Sequence, residues 1–146
     1  MDTILVVNAG SSSVKFQVFA LDGDRTIRRQ LKGQVDGIGS LPRLRATGCN
    51  GETLADFGYP LERVADVPAA LTVAGSWLRE AHQVVPVAIG HRVVHGGPDY
   101  DRPVVIDHGV VARLERLIPL APLHQPHNLA SIKTVLASFP ELPQVA

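Results

Sequence analysis

The chain has 146 residues, 14 Lys+Arg against 14 Asp+Glu for zero formal charge, 45% apolar positions and one cysteine; at ~100–200 residues per domain this is one domain that needs no disulfide staple. Cys49 can form no internal bridge, which points to a reducing compartment. Charge also balances within each half, eight against eight up to residue 73 and six against six after it, which disfavours nucleic-acid binding. No apolar run approaches the ~18 residues of a membrane span, and Asp2 argues against a signal peptide, so a cytoplasmic protein is expected.

Val and Ile (19 and 7) outnumber Leu (16), favouring substantial sheet content. Thr3 to Val7 is a β-branched run closed by the turn formers Asn8-Ala-Gly-Ser-Ser-Ser13, after which Val14, Phe16 and Val18 alternate with Lys15 and Gln17. The pattern predicts strand, tight polar turn, strand. Asp22-Gly23-Asp24 is the next turn, and Thr26 to Val35 a third strand antiparallel to the second. Residues 36 to 60 hold five Gly and two Pro, and one or two weak strands are expected there, around Leu41 to Ala46 and Thr53 to Phe57.

From Asp66 the period changes. Asp66 can cap, Pro68 is tolerated in a first turn, and Leu71, Ala74, Leu78 and Ala81 recur at helical spacing to about His82. Val84 to Ile89 reads as a strand covered on both faces, although Pro86 points to a late start or a place near an edge. Asp107 opens a second helix with a stripe of Val110, Val111, Leu114, Leu117 and Ile118, ended by Pro119. Pro126 begins a third, with Leu129, Ile132, Leu136 and Phe139 on one face and Pro140 as its stop. Gln144-Val145-Ala146 reads as the start of a further buried strand. A natural domain rarely ends where a strand begins, so the chain is expected to be a piece of something longer, with an apolar edge near Val145 that promotes self-association. The order implies an α/β fold whose antiparallel meander forms one side of a mixed sheet.

Three segments carry candidate chemistry. In Asn8 to Ser13 with Lys15, a tight turn exposes backbone N–H groups, three hydroxyls add donors and a lysine adds positive charge, a set suited to phosphate oxygens. Asn8 offers a neutral oxygen for a water of hydrated magnesium; an ordinary hairpin turn is the plain alternative. In Gly90-His-Arg-Val-Val-His-Gly-Gly97, Arg92 lies beyond the carboxyl end of a strand, where it can grip a carboxylate or phosphate with paired hydrogen bonds. His91 and His95 invite a metal-dependent hydrolase, but no carboxylate accompanies them. The third segment, Ala121-Pro-Leu-His124-Gln-Pro-His127-Asn128, is a stiff loop ahead of a helix, where imidazoles either face an anion or make loop hydrogen bonds. Together the three suit half of a phosphoryl-transfer site, where catalysis is mostly positioning and charge neutralisation.

These residues carry a family resemblance. Leu5-Val-Val-Asn8-Ala-Gly-Ser-Ser-Ser-Val-Lys15-Phe resembles the N-terminal signature of acetate kinases, and Ile89-Gly-His-Arg92-Val-Val-His-Gly-Gly97 and Ala121-Pro-Leu-His124 resemble the next two blocks of that family, in order and spacing. The resemblance implies a ribonuclease-H-like domain of the actin, Hsp70 and sugar-kinase superfamily and Mg²⁺-dependent phosphoryl transfer between ATP and acetate, giving ADP and acetyl phosphate. It implies that Asn8 helps position Mg²⁺, that Ser11, Ser13 and Lys15 lie by the ATP phosphates, and that Arg92 holds acetate or acetyl-phosphate oxygens. Val94 and Leu123 would pack the methyl group, and His124 would stand by the transferring phosphoryl. It further implies that residues 1–146 are the N-terminal domain of a two-domain enzyme, homodimeric through the other domain, and that a catalytic aspartate and the nucleotide-base site lie outside this chain, leaving it inactive alone. Propionate or butyrate kinase, and a non-catalytic anion-binding module, are the alternatives.

Overall fold

A computed structural model describes residues 1–146. Its centre is one seven-stranded sheet of order β5-β4-β3-β2-β1-β6-β7. The strands are β1 (Thr3–Ala9), β2 (Val14–Leu21), β3 (Ile27–Asp36), β4 (Arg43–Gly48), β5 (Thr53–Gly58), β6 (Pro86–His91) and β7 (Gln144–Val145). β1 to β5 form an antiparallel meander, whereas β6 lies parallel to β1 and β7 parallel to β6. The predicted mixed α/β sheet is observed, with β4 and β5 as full members rather than weak strands.

Two-residue periodicity divides this sheet into a dry and a wet face. Val14, Phe16 and Val18 pair with Val35, Gly33 and Leu31, which continue to Leu44 and Ala46 on β4; the side chains among these are buried in one cluster. The intervening row, Asn8, Lys15, Gln34, Arg45 and Asp56, runs across the other face. Gly33 is needed on the dry face because a Cβ there would stand 2.8 Å from Phe16 Cε2 and 3.0 Å from the Arg45 carbonyl oxygen. The Phe16 ring fills that space and meets Trp77 with centroids 6.3 Å apart.

Helix α1 (Val67–His82) starts where Asp66 accepts a hydrogen bond from the Ala69 N–H at 2.9 Å. It buries Val67, Ala70, Val73, Ala74 and Leu78 against the sheet. The predicted stripe is therefore rotated: Ala81 is exposed and Leu71 only partly covered. Helix α2 (His108–Glu115) is capped by Asp107 as expected, but it stops before Leu117 and Ile118, and a 3-10 turn at Ile118–Leu120 follows. Helix α3 (Gln125–Ser138) separates two cores: Val135 joins the main cluster, while Leu129 and Ile132 join a second one with Ile106, Val110, Val111 and Leu114.

Three expectations need correction. β6 has the late start that Pro86 points to, but it is not covered on both faces: Val87 within it, and Val85 just before it, are exposed. The buried face of α3 includes the polar Gln125, Asn128 and Ser131, while Phe139 is exposed. The β7 edge is not free either, because Val104 and Ile106 donate backbone hydrogen bonds to Ala146 and Gln144 and Ala146 donates back to Val104. Residues 104–106 thus occupy the hydrogen-bonding positions through which another chain would pair.

Replacing Gly33 with Val should displace Phe16 and destabilise the chain by about 1–3 kcal/mol, the usual cost of overpacking. Urea unfolding would measure this, and a loss smaller than about 0.5 kcal/mol, the range of ordinary surface substitutions, would show that Gly33 does not fix the ring.

Candidate functional site

The candidate residues gather where β1 and β6 end. Parallel pairing sets Val7 opposite His91, and the Arg92 N–H donates to the Val7 carbonyl oxygen at 3.1 Å, which brings Arg92 alongside the start of the Asn8–Ser13 turn. The turn is closed by a hydrogen bond from the Gly10 N–H to the Ser13 carbonyl oxygen at 2.8 Å, and the Ile38 N–H binds the Ser12 carbonyl oxygen at 3.1 Å. Asn8 pairs with Lys15 across the hairpin, so both side chains share the wet face.

The third segment is joined to the other two by one side chain. Asn128, 3% exposed, donates from Nδ2 to the Ala9 carbonyl oxygen at 2.7 Å and accepts from the Val94 N–H through Oδ1 at 3.1 Å. Gln125, fully buried, donates from Nε2 to the carbonyl oxygens of His95 and Leu114 at 3.1 and 3.3 Å. His124 occupies the N-terminal cap of α3 and is exposed. Gly97 lets the Arg92 loop turn back at φ +59°, and a Cβ there would stand 2.7 Å from Leu117 Cδ2.

The backbone segments meet, but the side chains expected to contact ligand stay open. Ser11, Lys15, Arg92, Val94, Leu123 and His124 are exposed, and Asn8 and Ser13 partly covered. Val94 and Leu123 are 40% and 75% exposed, so no closed apolar pocket exists between them. Lys15 and Arg92 belong to none of the chain's ion pairs, which are Arg28–Asp22, Arg43–Asp56, Arg45–Asp36, Arg102–Asp101 and Lys133–Glu115. Two uncompensated cations beside a turn of exposed donors constitute an anion-receptive edge. No group of three or more His, Cys, Asp or Glu side chains could hold a metal ion. Asn8 and the serine hydroxyls are neutral oxygen donors, a set compatible with a hydrated magnesium ion carried on phosphate oxygens, which needs few protein ligands.

His91 takes another path. Its side chain lies on the helix-covered face and is 8% exposed, with Nε2 2.7 Å from Gln144 Oε1 and Nδ1 3.3 Å from Ser131 Oγ. Burial pushes its pKa down to about 4, the Gln144 contact opposing that only in part, so the imidazole is neutral at pH 7. His95 Nδ1 accepts from the Gly97 N–H at 2.8 Å. Both histidines are thus held in protein hydrogen bonds, which removes the basis for a histidine-metal hydrolase.

A cavity of about 650 Å³ lies under α1 and the C-terminal end of α3, and contains none of the predicted site residues. It is lined mainly by apolar side chains such as Leu5, Leu71, Leu78 and Phe139. The candidate chemistry and this void are therefore at different places in the domain. Asn128, Gln125, Ser131 and Gln144 were not predicted as site supports; their one sequence signal is the three-residue spacing of 125, 128 and 131 beside an apolar stripe.

A mixed sheet of this order, with a polar hairpin turn between its first two strands and helices on the dry face, is the ribonuclease-H-like domain of the actin, Hsp70 and sugar-kinase superfamily. Residues 3–146 match the acetokinase family. The chain is 70% identical over its whole length to an acetate kinase of Nitrobacter hamburgensis and 53% identical to one of Rhizobium meliloti. It spans 36% and 37% of the length of those relatives. The crystal structure of Porphyromonas gingivalis acetate kinase superposes with TM-score 0.84 at 30% identity, over 99% of this chain and 36% of that one. A propionate kinase from Francisella tularensis superposes with TM-score 0.81 at 32% identity, over 100% of this chain and 36% of that one. The chain belongs to the acetokinase family.

A neutral buried imidazole makes stability depend on acid. The folded pKa of His91 lies below its unfolded value of 6.5, so this contribution is complete above pH 6.5 and is lost as pH falls towards 4. The loss should reach about 3 kcal/mol. Unfolding curves of wild type and His91→Gln across this window should differ by that amount, and parallel pH profiles would contradict it.

Proposed function

We propose that residues 1–146 form the N-terminal domain of a two-domain acetate kinase that reversibly transfers a phosphoryl group between ATP and acetate. The observation that carries this is the joining of the Asn8–Lys15 turn, the Arg92–Val94 loop and the His124 helix end at one sheet edge, in a chain of the acetokinase family.

In this assignment Arg92 binds the carboxylate of acetate with paired donors and orients one oxygen towards the γ-phosphorus of ATP. That oxygen forms the new P–O bond while the bond to the β-phosphate oxygen breaks, yielding acetyl phosphate and ADP. Ser11, Ser13 and Lys15 hold phosphate oxygens by hydrogen bonds and charge, and His124 offers a donor to the phosphoryl in transit. Asn8, together with the bound phosphates, would hold magnesium, which when bound would supply neutralisation of phosphate charge. Val94 and Leu123 flank the methyl group. One methylene changes binding by only ~1–3 kcal/mol in such a pocket, so propionate and butyrate are the competing substrates, and the likeness to a propionate kinase keeps that alternative specific. The remainder of the site, including the catalytic aspartate, the nucleotide-base pocket and the dimer contact, is assigned to the second domain. The enzyme operates in the cytoplasm.

Trapping the acyl phosphate with hydroxylamine tests this. The full-length protein should form acetyl hydroxamate from ATP, Mg²⁺ and acetate, residues 1–146 alone should form none, and Arg92→Ala should lower kcat/KM by about 100-fold or more. Turnover by residues 1–146, or an Arg92→Ala enzyme with unchanged kcat/KM, would overturn the assignment. Acetyl phosphate binding without turnover in the full-length protein would favour the anion-binding module.

A further inference from the structure

We infer that Asn128 is a positioning residue: its buried carboxamide sets the separation between the phosphate-binding turn and the arginine loop. The geometry leaves it one orientation. A backbone N–H can only donate and a carbonyl can only accept, so Oδ1 must face Val94 and Nδ2 must face Ala9, as observed. The two contacts lie 34 and 119 residues away in sequence. Ala9 follows Asn8 directly, and Val94 is two residues beyond Arg92. One planar group therefore spans the two halves of the edge on which the reacting groups are to be aligned.

Its neighbours on α3 reinforce only one of those halves. Ser131 Oγ, which donates to the Asn128 carbonyl oxygen at 2.8 Å, also meets His91 at the base of the arginine loop. Gln125 holds the His95 carbonyl oxygen. Residues 131, 128 and 125 thus grip the loop at 91, 94 and 95 along one helix edge. Asn128 alone extends the grip to β1. The helix also carries His124 at its N-terminal cap, so the carboxamide refers three elements to a single rigid support.

This predicts a particular kinetic signature. Without the carboxamide each loop keeps its own binding groups, and each substrate still binds. The attacking oxygen and the phosphorus are no longer aligned, and alignment errors of about 1 Å cost about 100-fold in rate. The loss should therefore fall on kcat and spare KM. Asp at 128 can accept from Val94 but cannot donate to Ala9, whereas Ala does neither.

This role presupposes the acyl-phosphate chemistry proposed for the site, so the experiment uses the full-length protein with wild type as its reference. Asn128→Ala and Asn128→Asp should lower kcat for hydroxamate formation by about 10–100-fold, with the KM values for acetate and ATP within about threefold of wild type. Ile132→Val, on the same helix and fully buried, should reduce thermal stability but leave kcat unchanged. Wild-type kinetics in folded Asn128 variants would overturn the role, as would equal kcat losses in Ile132→Val. An inactive wild-type protein would instead refute the chemistry. Amide hydrogen exchange in wild type tests the tie without any variant: the Val94 N–H should be protected like the amides of α3, and exchange at an open-loop rate would overturn it.

Discussion

The parallel pairing of β1 with β6 is the constraint on which the rest of this domain depends. β1 also pairs with β2 on its other side, so it is the strand at which the antiparallel meander meets the parallel half of the sheet. Such a junction sends two loops of different origin out of the same edge, one turning back as the Asn8–Ser13 hairpin and the other leaving as the Arg92–Gly97 loop. The hydrogen bond from the Arg92 N–H to the Val7 carbonyl oxygen is the last rung of this pairing. It converts a register between strands into proximity between residues 85 positions apart.

Sheet pairing fixes the ends of the strands, but loops beyond them need separate restraint. Here it comes from buried polar side chains on α3. Burying an amide without a partner costs ~1–3 kcal/mol, so Asn128 and Ser131 on α3 are tolerated because they meet partners, as Gln125 does through its Nε2, although Gln125 Oε1 and the Nε2 of Gln144 on β7 have none. That requirement makes them selective: an apolar α3 would pack the two cores as well but would accept several loop positions. His91 belongs to the same seam and is neutral for the same reason, its charge being excluded by burial. At the open end of these strands Lys15 and Arg92 carry charge that no ion pair neutralises, where an anion can reach it.

Much of this was legible in the sequence because local chemistry agrees with global architecture. The Asn8–Ser13 turn, the Asp66 and Asp107 caps and the Pro126 start each act within a few residues and stand where expected. The errors arise where distant partners decide. β4 and β5 are full strands because Leu44, Ala46 and Ala55 complete the dry face begun by β2. The expected face of α3 holds at Leu129 and Ile132 but omits 125, 128 and 131, whose burial follows from partners that no helical periodicity reveals: backbone groups of Ala9, Val94 and His95 for Asn128 and Gln125, and the His91 ring for Ser131. The closure of the β7 edge by residues 104–106 is a contact between segments about 40 positions apart, invisible to any local pattern. Of the candidate site, the residue types and their three segments were readable; the support holding them together was not.

On this geometry, two loops from different strands form one anion site. NMR titration of the chain with acetyl phosphate tests it most directly, following the amides of Gly10 to Ser13 and of Arg92 to Val94. Both groups of resonances should shift along one saturation curve with a single Kd, and Lys15→Met should weaken both together. Shifts confined to one segment, or two independent curves, would contradict it.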